Sequence, residues 1–203
     1  MNRKAHWDNV YAKQPETEVS WYQADPKLSV QLIREVCPAH CCRLIDIGGG
    51  ASVLVDRLLD AGFHDLAVLD VSVVALERVQ IRLSKAASRV RWIVADVTEV
   101  KDIGQFDLWH DRAVFHFLTN TDDRRKYVEL AERTVPPGGH LILSTFALDG
   151  LTRCSGLDVR RYDAASASLE LGRAFALVKE LSETHVTPAG KPQQFFYGLF
   201  RRV

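Results

Sequence analysis

Apolar and polar positions alternate between two periods along the chain, and the switches mark its elements. Asp25-Pro26 reads as a cap and first helical residue. Leu28, Leu32, Ile33 and Val36 follow at helical spacing, and Pro38 ends the run. Arg43–Ile47 is a short buried strand that stops at Gly48-Gly49-Gly50. Ser52 is positioned to cap a helix with Val55, Leu58 and Leu59 on its apolar face, closed by Gly62. Leu66–Leu69 reads as a second strand ending at Asp70, and Ser72 opens a helix to about Lys85. Val90, Trp92 and Val94 mark a third strand ending at Asp96, and Phe106–His110 a fourth. A helix starting at Thr121 stops before Pro136-Pro137-Gly138-Gly139, and His140–Phe146 is a fifth strand. Residues 147–162 are a loop, followed by a short helix near Asp163–Leu171. Phe175–Thr184 and Gln194–Arg202 flank Pro188-Ala189-Gly190-Lys191-Pro192, which has the turn chemistry of a hairpin.

Strands alternating with helices predict an α/β fold with helices on both faces of a mostly parallel sheet, plus a C-terminal antiparallel hairpin. No repeat, low-complexity tract or linker divides the chain, so residues 1–203 read as one domain. In such sheets ligands bind beyond the carboxyl ends of the strands. Three of those ends carry glycines or an acid: Gly48–Gly50, Asp70 and Asp96. A Gly-rich strand-to-helix turn lets backbone approach a ligand, and the helix start offers free N–H donors. The dinucleotide pattern wants a further glycine at position 53, where the chain has Val53. Asp70 is spaced to accept both hydroxyls of a ribose, and Asp96 to take an adenine amine with Val71 and Val97 on the base faces.

These residues resemble a class I S-adenosylmethionine-dependent methyltransferase. The likeness rests on Asp46-Ile47-Gly48-Gly49-Gly50, Asp70, Asp96-Val97, Phe106-Asp107-Leu108 and Pro137-Gly138-Gly139, and runs from about Trp7 to Arg202. It implies a Rossmann-like seven-stranded sheet and S-adenosyl-L-methionine as cofactor, with S-adenosyl-L-homocysteine as product. The cofactor-binding residues it implies are Trp21, Asp46, Gly48, Gly49, Gly50, Ser52, Asp70, Val71, Asp96, Val97 and His110. The third glycine of the common motif is Ser52 here. Gly50-Ala51-Ser52 is similar to the Gly-Asn-Ser of a branch that includes protein-lysine methyltransferases. In similar enzymes an N-terminal segment closes over the cofactor. Residues 1–24, with Trp7, Tyr11, Trp21 and Tyr22, take that role or pack the first helix onto the sheet.

For the acceptor, Trp109–His116 leaves the fourth strand at its carboxyl end. It lacks the Asn/Asp-Pro-Pro-aromatic signature of enzymes that methylate adenine or glutamine amino groups. His110 or His116 is a candidate proton acceptor and Asp111 a candidate for orienting or holding charge; a structural role is open for each. Residues 147–162 suit a substrate lid. Arg153, Arg160 and Arg161 make its loop locally basic, which suits a carboxylated acceptor.

Charge then narrows the partners. Twenty-six Lys+Arg balance 26 Asp+Glu, so the basic excess that nucleic acid demands is missing. The run Arg78, Arg82, Lys85, Arg89, Arg91 reads as a solvated face. No apolar stretch suits a signal core or a spanning helix. The four cysteines are too few for a disulfide framework, and Cys37-Pro38-Ala39-His40-Cys41-Cys42 matches no closed zinc pattern. Buried thiols, no metal and a reducing cytoplasm are expected. The functional expectation is methyl transfer to a small molecule by in-line displacement, with no membrane or nucleic-acid partner. The alternatives are a protein-lysine methyltransferase, with Asp111 holding the ammonium, and a cofactor-binding scaffold without turnover.

Overall fold

A computed structural model describes residues 2–203. The chain begins with α1 (Arg3–Lys13) and α2 (Lys27–Val36). Then come β1 (Leu44–Ile47), α3 (Leu54–Asp60), β2 (Leu66–Asp70), α4 (Val73–Leu83), β3 (Val90–Val94) and β4 (Leu108–Arg112). The second half holds α5 (Thr121–Thr134), β5 (His140–Phe146), β6 (Arg153–Cys154), β7 (Leu157–Asp158), α6 (Ala164–Leu171), β8 (Phe175–Val186) and β9 (Pro192–Arg202). Seven strands form one sheet in the order β3-β2-β1-β4-β5-β9-β8. Its first five strands are parallel, and β9 and β8 are antiparallel to their neighbours. This is the Rossmann-like seven-stranded fold that the strand pattern and the family resemblance together imply.

Successive strand residues face opposite sides, and that parity builds two cores. Leu44, Leu108 and Ile142 pack with residues of α2, α3 and α4. Ile45, Trp109, Leu141 and Leu143 pack with Tyr127, Leu130 and Ala131 of α5 and Leu171 of α6. β1 and β2 are buried on both faces, which is why they read as continuous apolar runs. Each fully buried Leu or Phe contributes roughly 1.5–3 kcal/mol, so these two layers supply most of the folding drive.

Local signals explain the helix starts. Ser72 Oγ accepts from the Ala75 N–H at 3.2 Å and caps α4. Asp163 and Ser166 form a reciprocal capping box on α6. Three departures from the sequence reading bear on the site. Residues 3–13 form a helix that weak apolar patterning hid, since Tyr11 is its one buried residue. The fourth strand runs to Arg112, two residues past His110. The loop after β5 contains the small β6–β7 hairpin. Among the described residues no helix is long and apolar enough to cross a membrane.

Cysteine chemistry also departs from expectation. Cys37 and Cys42 are not thiols but a disulfide, joining the end of α2 to the approach to β1. Cys41 is free and exposed, and Cys154 is free and buried.

Candidate functional site

The carboxyl ends of β1, β2 and β4 open into a cleft of about 840 Å³, its mouth included. The cleft begins at Asp70, Val71, Asp96 and Val97, passes Gly48, and ends among Arg112, His116, Phe146, Cys154 and Phe195. Trp7, Tyr11 and Trp21 line it from the N-terminal segment.

Gly48 has φ +63°, and a Cβ there would stand 1.9 Å from Val114 Cγ2. Gly50 has φ +50°, and its Cβ would meet the Tyr11 hydroxyl at 2.4 Å and Asp70 Oδ2 at 3.4 Å. Only glycine fits this close turn at both positions. Ser52 is exposed; its hydroxyl accepts from the Leu54 N–H at 3.1 Å, the first residue of α3. Arg82 fixes the far side of the turn, donating to the Ala51 carbonyl at 3.2 Å and the Ser52 carbonyl at 2.7 Å. It also pairs with Asp56 and Glu16. The basic run is therefore not a simple solvated face: its second arginine is a brace for the glycine turn.

Asp70 is buried, and one oxygen accepts from the Ser72 N–H at 2.7 Å. Burial, reinforced by the nearby Asp46 and Asp8 charges, pushes its carboxyl up to about 7. Among the described residues no cation pairs with it. A buried acid at a cleft wall without a cation is a site prepared for neutral donors such as a diol. Asp96 is the opposite case. Burial disfavours its charge, but hydrogen bonds from Thr98 and Arg3 outweigh that and hold it below the usual carboxylate range. Arg3 Nη1 lies 3.0 Å from Asp96 Oδ2 and 2.7 Å from Thr98 Oγ1, and Nη2 reaches Asp123. Val71 and Val97 line the same end.

Asp46, His110 and Asp111 lie outside this cleft's lining. Asp46 and His110 are register partners on β1 and β4, so their side chains share a face. His110 Nδ1 donates to Asp46 Oδ1 at 2.7 Å, and Ser29 Oγ donates to Nε2 at 2.9 Å. All three are nearly fully buried. The chain Ser29–His110–Asp46 ties α2 to the strands beneath the glycine turn, beside a smaller pocket that Gly48 and Gly49 also line. With both nitrogens engaged, His110 has no free lone pair for an acceptor, which corrects its catalytic assignment. Asp111 points to the other face. It accepts from the Val114 and Phe115 N–H groups at 2.9 and 3.2 Å and from the Tyr127 hydroxyl at 2.7 Å. Fully buried, it organises the turn after β4 and cannot hold a substrate ammonium.

His116 shows the reverse outcome. It is fully buried, yet it lines the cleft. It stacks on Phe146 with ring centroids 4.8 Å apart and 17° between planes. The loop arginines do not serve the cleft either. Arg153 pairs with Asp158 and Arg160 with Glu170, and Arg161 donates to the Gly150 carbonyl. The residue of residues 147–162 that reaches the cleft is Cys154, a thiol that burial pushes up.

Sequence reasoning missed Arg3, Arg112 and Cys154. Nothing in the pattern marked Arg3. Arg112 stood inside the segment already singled out, and the length of β4 brings it to the cleft. Ala113, just beyond, has φ +76°, a strained angle for a residue with a side chain at the cleft wall.

Residues 45–143 match the family described as "Methyltransferase domain". Nodulation protein S of Rhizobium tropici is 29% identical over 114 residues, covering 56% of this chain and 47% of that protein. The eEF1A lysine and N-terminal methyltransferase of Bos taurus is 20% identical over 138 residues, 68% of this chain and 19% of that one. The chain thus spans less than half the length of these curated relatives. Among solved structures, N-methyltransferase NodS from Bradyrhizobium japonicum WM9, in complex with S-adenosyl-L-homocysteine, superposes with a TM-score of 0.72 at 18% identity, covering 97% of this chain and 98% of that one. The 1,6-didemethyltoxoflavin-N1-methyltransferase of Burkholderia thailandensis gives 0.71 at 16% identity, covering 98% and 84%. At these identities the structural likeness is one of fold.

Proposed function

We propose that the chain is a class I S-adenosylmethionine-dependent methyltransferase that methylates a small-molecule acceptor in the cleft. One observation carries the reading. A single cleft runs from the acids at the ends of β2 and beyond β3 to an aromatic-lined end at β4, β5 and β9. Two ligands can therefore meet in it end to end.

The cleft suits the family's cofactor. Asp70 offers a buried carboxyl that no cation among the described residues pairs with, matched to the two hydroxyls of a ribose. Val71 and Val97 offer apolar surface for a base, and Asp96 an acceptor beside it. Gly48 keeps the wall free of a side chain, and Gly50 leaves room behind it for Tyr11 and Asp70. Bound there, the cofactor supplies a methyl group on a sulfonium sulfur. Trp7, Tyr11 and Trp21 roof the cleft and exclude water, and their faces favour a cation. Orientation and water exclusion together supply roughly 7–11 kcal/mol of effective molarity, so no covalent intermediate on the protein is required.

The protein-lysine alternative loses one of its two supports, because Asp111 is sealed on the other face of the sheet; the Gly50-Ala51-Ser52 variant and the likeness to the eEF1A lysine and N-terminal methyltransferase still favour it. Incubation with methyl-labelled S-adenosylmethionine and separated fractions of the source cell tests the reading. Label is expected in the small-molecule fraction. Labelled protein bands would overturn it, and cofactor binding with no transfer to either fraction would return the scaffold alternative.

A further inference from the structure

Two buried polar atoms at the aromatic-lined end of the cleft have no partner: Nε2 of His116 and Nη2 of Arg112. Their protonation follows from their neighbours. The Phe146 N–H donates to His116 Nδ1 at 3.3 Å, so Nδ1 presents its lone pair. Burial, with the Arg112 charge adding, pushes the imidazole down to about 3, so the ring is neutral. A neutral imidazole with its lone pair on Nδ1 carries its proton on Nε2. His116 is thus a hydrogen-bond donor here and not a base.

Arg112 is a donor at every nitrogen. Its Nε donates to the Tyr197 hydroxyl at 3.0 Å and its Nη1 to the Trp21 carbonyl at 3.1 Å. The guanidinium lies 4.4 Å above the Phe195 ring. Glu183 Oε2 stands 3.7 Å from Nη2, an ion pair that balances the charge but lies beyond hydrogen-bond reach. Two unpaired donors, one of them on a cation, are therefore built into one end of the cleft and shielded from solvent. Leaving buried donors unpaired is a standing cost, which a ligand carrying acceptor oxygens would remove. The surrounding rings of Phe146, Phe195 and Trp21 supply apolar walls.

We propose that the methyl acceptor carries an anionic oxygen group on an aromatic or apolar body, and that His116 Nε2–H and Arg112 Nη2–H anchor it. This rests on the methyltransferase reading above. Sheet order separates the anchor from the ribose and base residues, which stand at β2 and past β3, on the far side of β1. One other source offers the same chemistry, the carboxylate on the cofactor's own amino-acid tail.

Calorimetry distinguishes the two. The whole chain is first titrated with S-adenosylhomocysteine. The loaded protein is then titrated with benzoate, phenylacetate and 3-phenylpropionate, and with the amines of the same skeletons. At least one carboxylate is expected to bind the loaded protein at least about tenfold tighter than its amine. His116→Phe, which keeps a ring on Phe146, and Arg112→Met should each weaken that carboxylate about tenfold, and His116→Phe should leave S-adenosylhomocysteine affinity within about threefold. If Arg112→Met does not fold, His116→Phe and the carboxylate-to-amine ratio decide. Amines binding as well as carboxylates, no carboxylate binding to the loaded protein, or carboxylate affinity unmoved by the substitutions would each overturn the proposal. A tenfold loss of S-adenosylhomocysteine affinity in His116→Phe, which leaves the Arg112–Trp21 tie in place, would assign the donors to the cofactor's tail and overturn it too. Failure of the unaltered chain to bind S-adenosylhomocysteine would instead sink the methyltransferase reading.

Discussion

Asp70 is the residue on which the cofactor half of the site depends most. Its carboxyl is desolvated and, among the described residues, paired with no cation, so the ligand's hydroxyls are the natural donors. Removing it in Asp70→Ala should deprive a ribose of an acceptor that is half ionised near neutral pH, a loss on the order of one charged hydrogen bond. At roughly 1.5–3 kcal/mol for a bond of that kind, S-adenosylhomocysteine affinity should fall by about 10- to 100-fold or more; unchanged affinity by calorimetry would refute the role. His116 makes a separate prediction about stability. Folded, it stays neutral down to about 3, whereas the unfolded chain's imidazole protonates near 6.5. Below 6.5 the unfolded state therefore binds the extra proton, and the folded state loses stability as pH falls. His116→Phe has no such loss, so its stability relative to the unaltered chain should improve by about 1.4 kcal/mol per pH unit below 6.5. Urea titrations at about pH 7.5 and 5.5 check this, and a constant difference between the two chains would contradict it. Asp70, Asp96 and the glycines were legible because parallel strands bring their carboxyl ends to one rim whatever the register. His110, Asp111 and His116 were not. Which face each side chain takes depends on strand parity and on the turn after β4, and neither shows in spacing.

At the scale of elements, α1 is the part least explained by apolar packing. An isolated helix of 11 residues is marginal in water. Tyr11 is its one buried side chain, and polar ties do the rest: Arg3 to Asp96, Thr98 and Asp123, and Ser72 donating to Asp8 at 2.7 Å. The aromatic edge contacts of Trp7 with Trp21 and Phe117, at 5.7 and 5.1 Å, join this helix to the following segment and to the turn after β4. Such an element can leave and return without disturbing the core, which suits a cover over the cleft. Arg3→Ala cuts its largest tie at the Asp96 end. The helix should then open more often, so trypsin should cleave after Lys13 about tenfold faster, and S-adenosylhomocysteine should dissociate faster by a similar factor. Stopped-flow dissociation and timed digestion check both; rates equal to those of the unaltered chain would show that the apolar contacts alone hold the helix.

Across the whole molecule, ligand chemistry and covalent reinforcement lie at opposite ends of the sheet. The glycine turn leaves β1 at Ile47, while the Cys37–Cys42 bond ties the end of α2 to the approach to β1 at Leu44. The pairing could not be read from the sequence. Three cysteines stand within six positions, and the observed bond requires the chain to bend at His40, whose φ is +57°, until the two Cα atoms lie 6.0 Å apart. By contrast the strand order was legible, because alternating helices and strands with short connections leave few ways to build a sheet. Position in that sheet gives the disulfide its predicted effect. Closing so short a loop removes about 2 kcal/mol of unfolded-state freedom on the chain-entropy account. Reduction with dithiothreitol should therefore lower the melting temperature by about 4–8 °C, as expected for a chain of this size. Its effect should stop there, because β1 is buried along its full length and held by β2 and β4 on either side. Affinity for S-adenosylhomocysteine should stay within about twofold of the oxidised protein. A large loss of affinity on reduction, with the fold intact by circular dichroism, would mean that α2 carries strain from the disulfide to the glycine turn through Ser29 and His110.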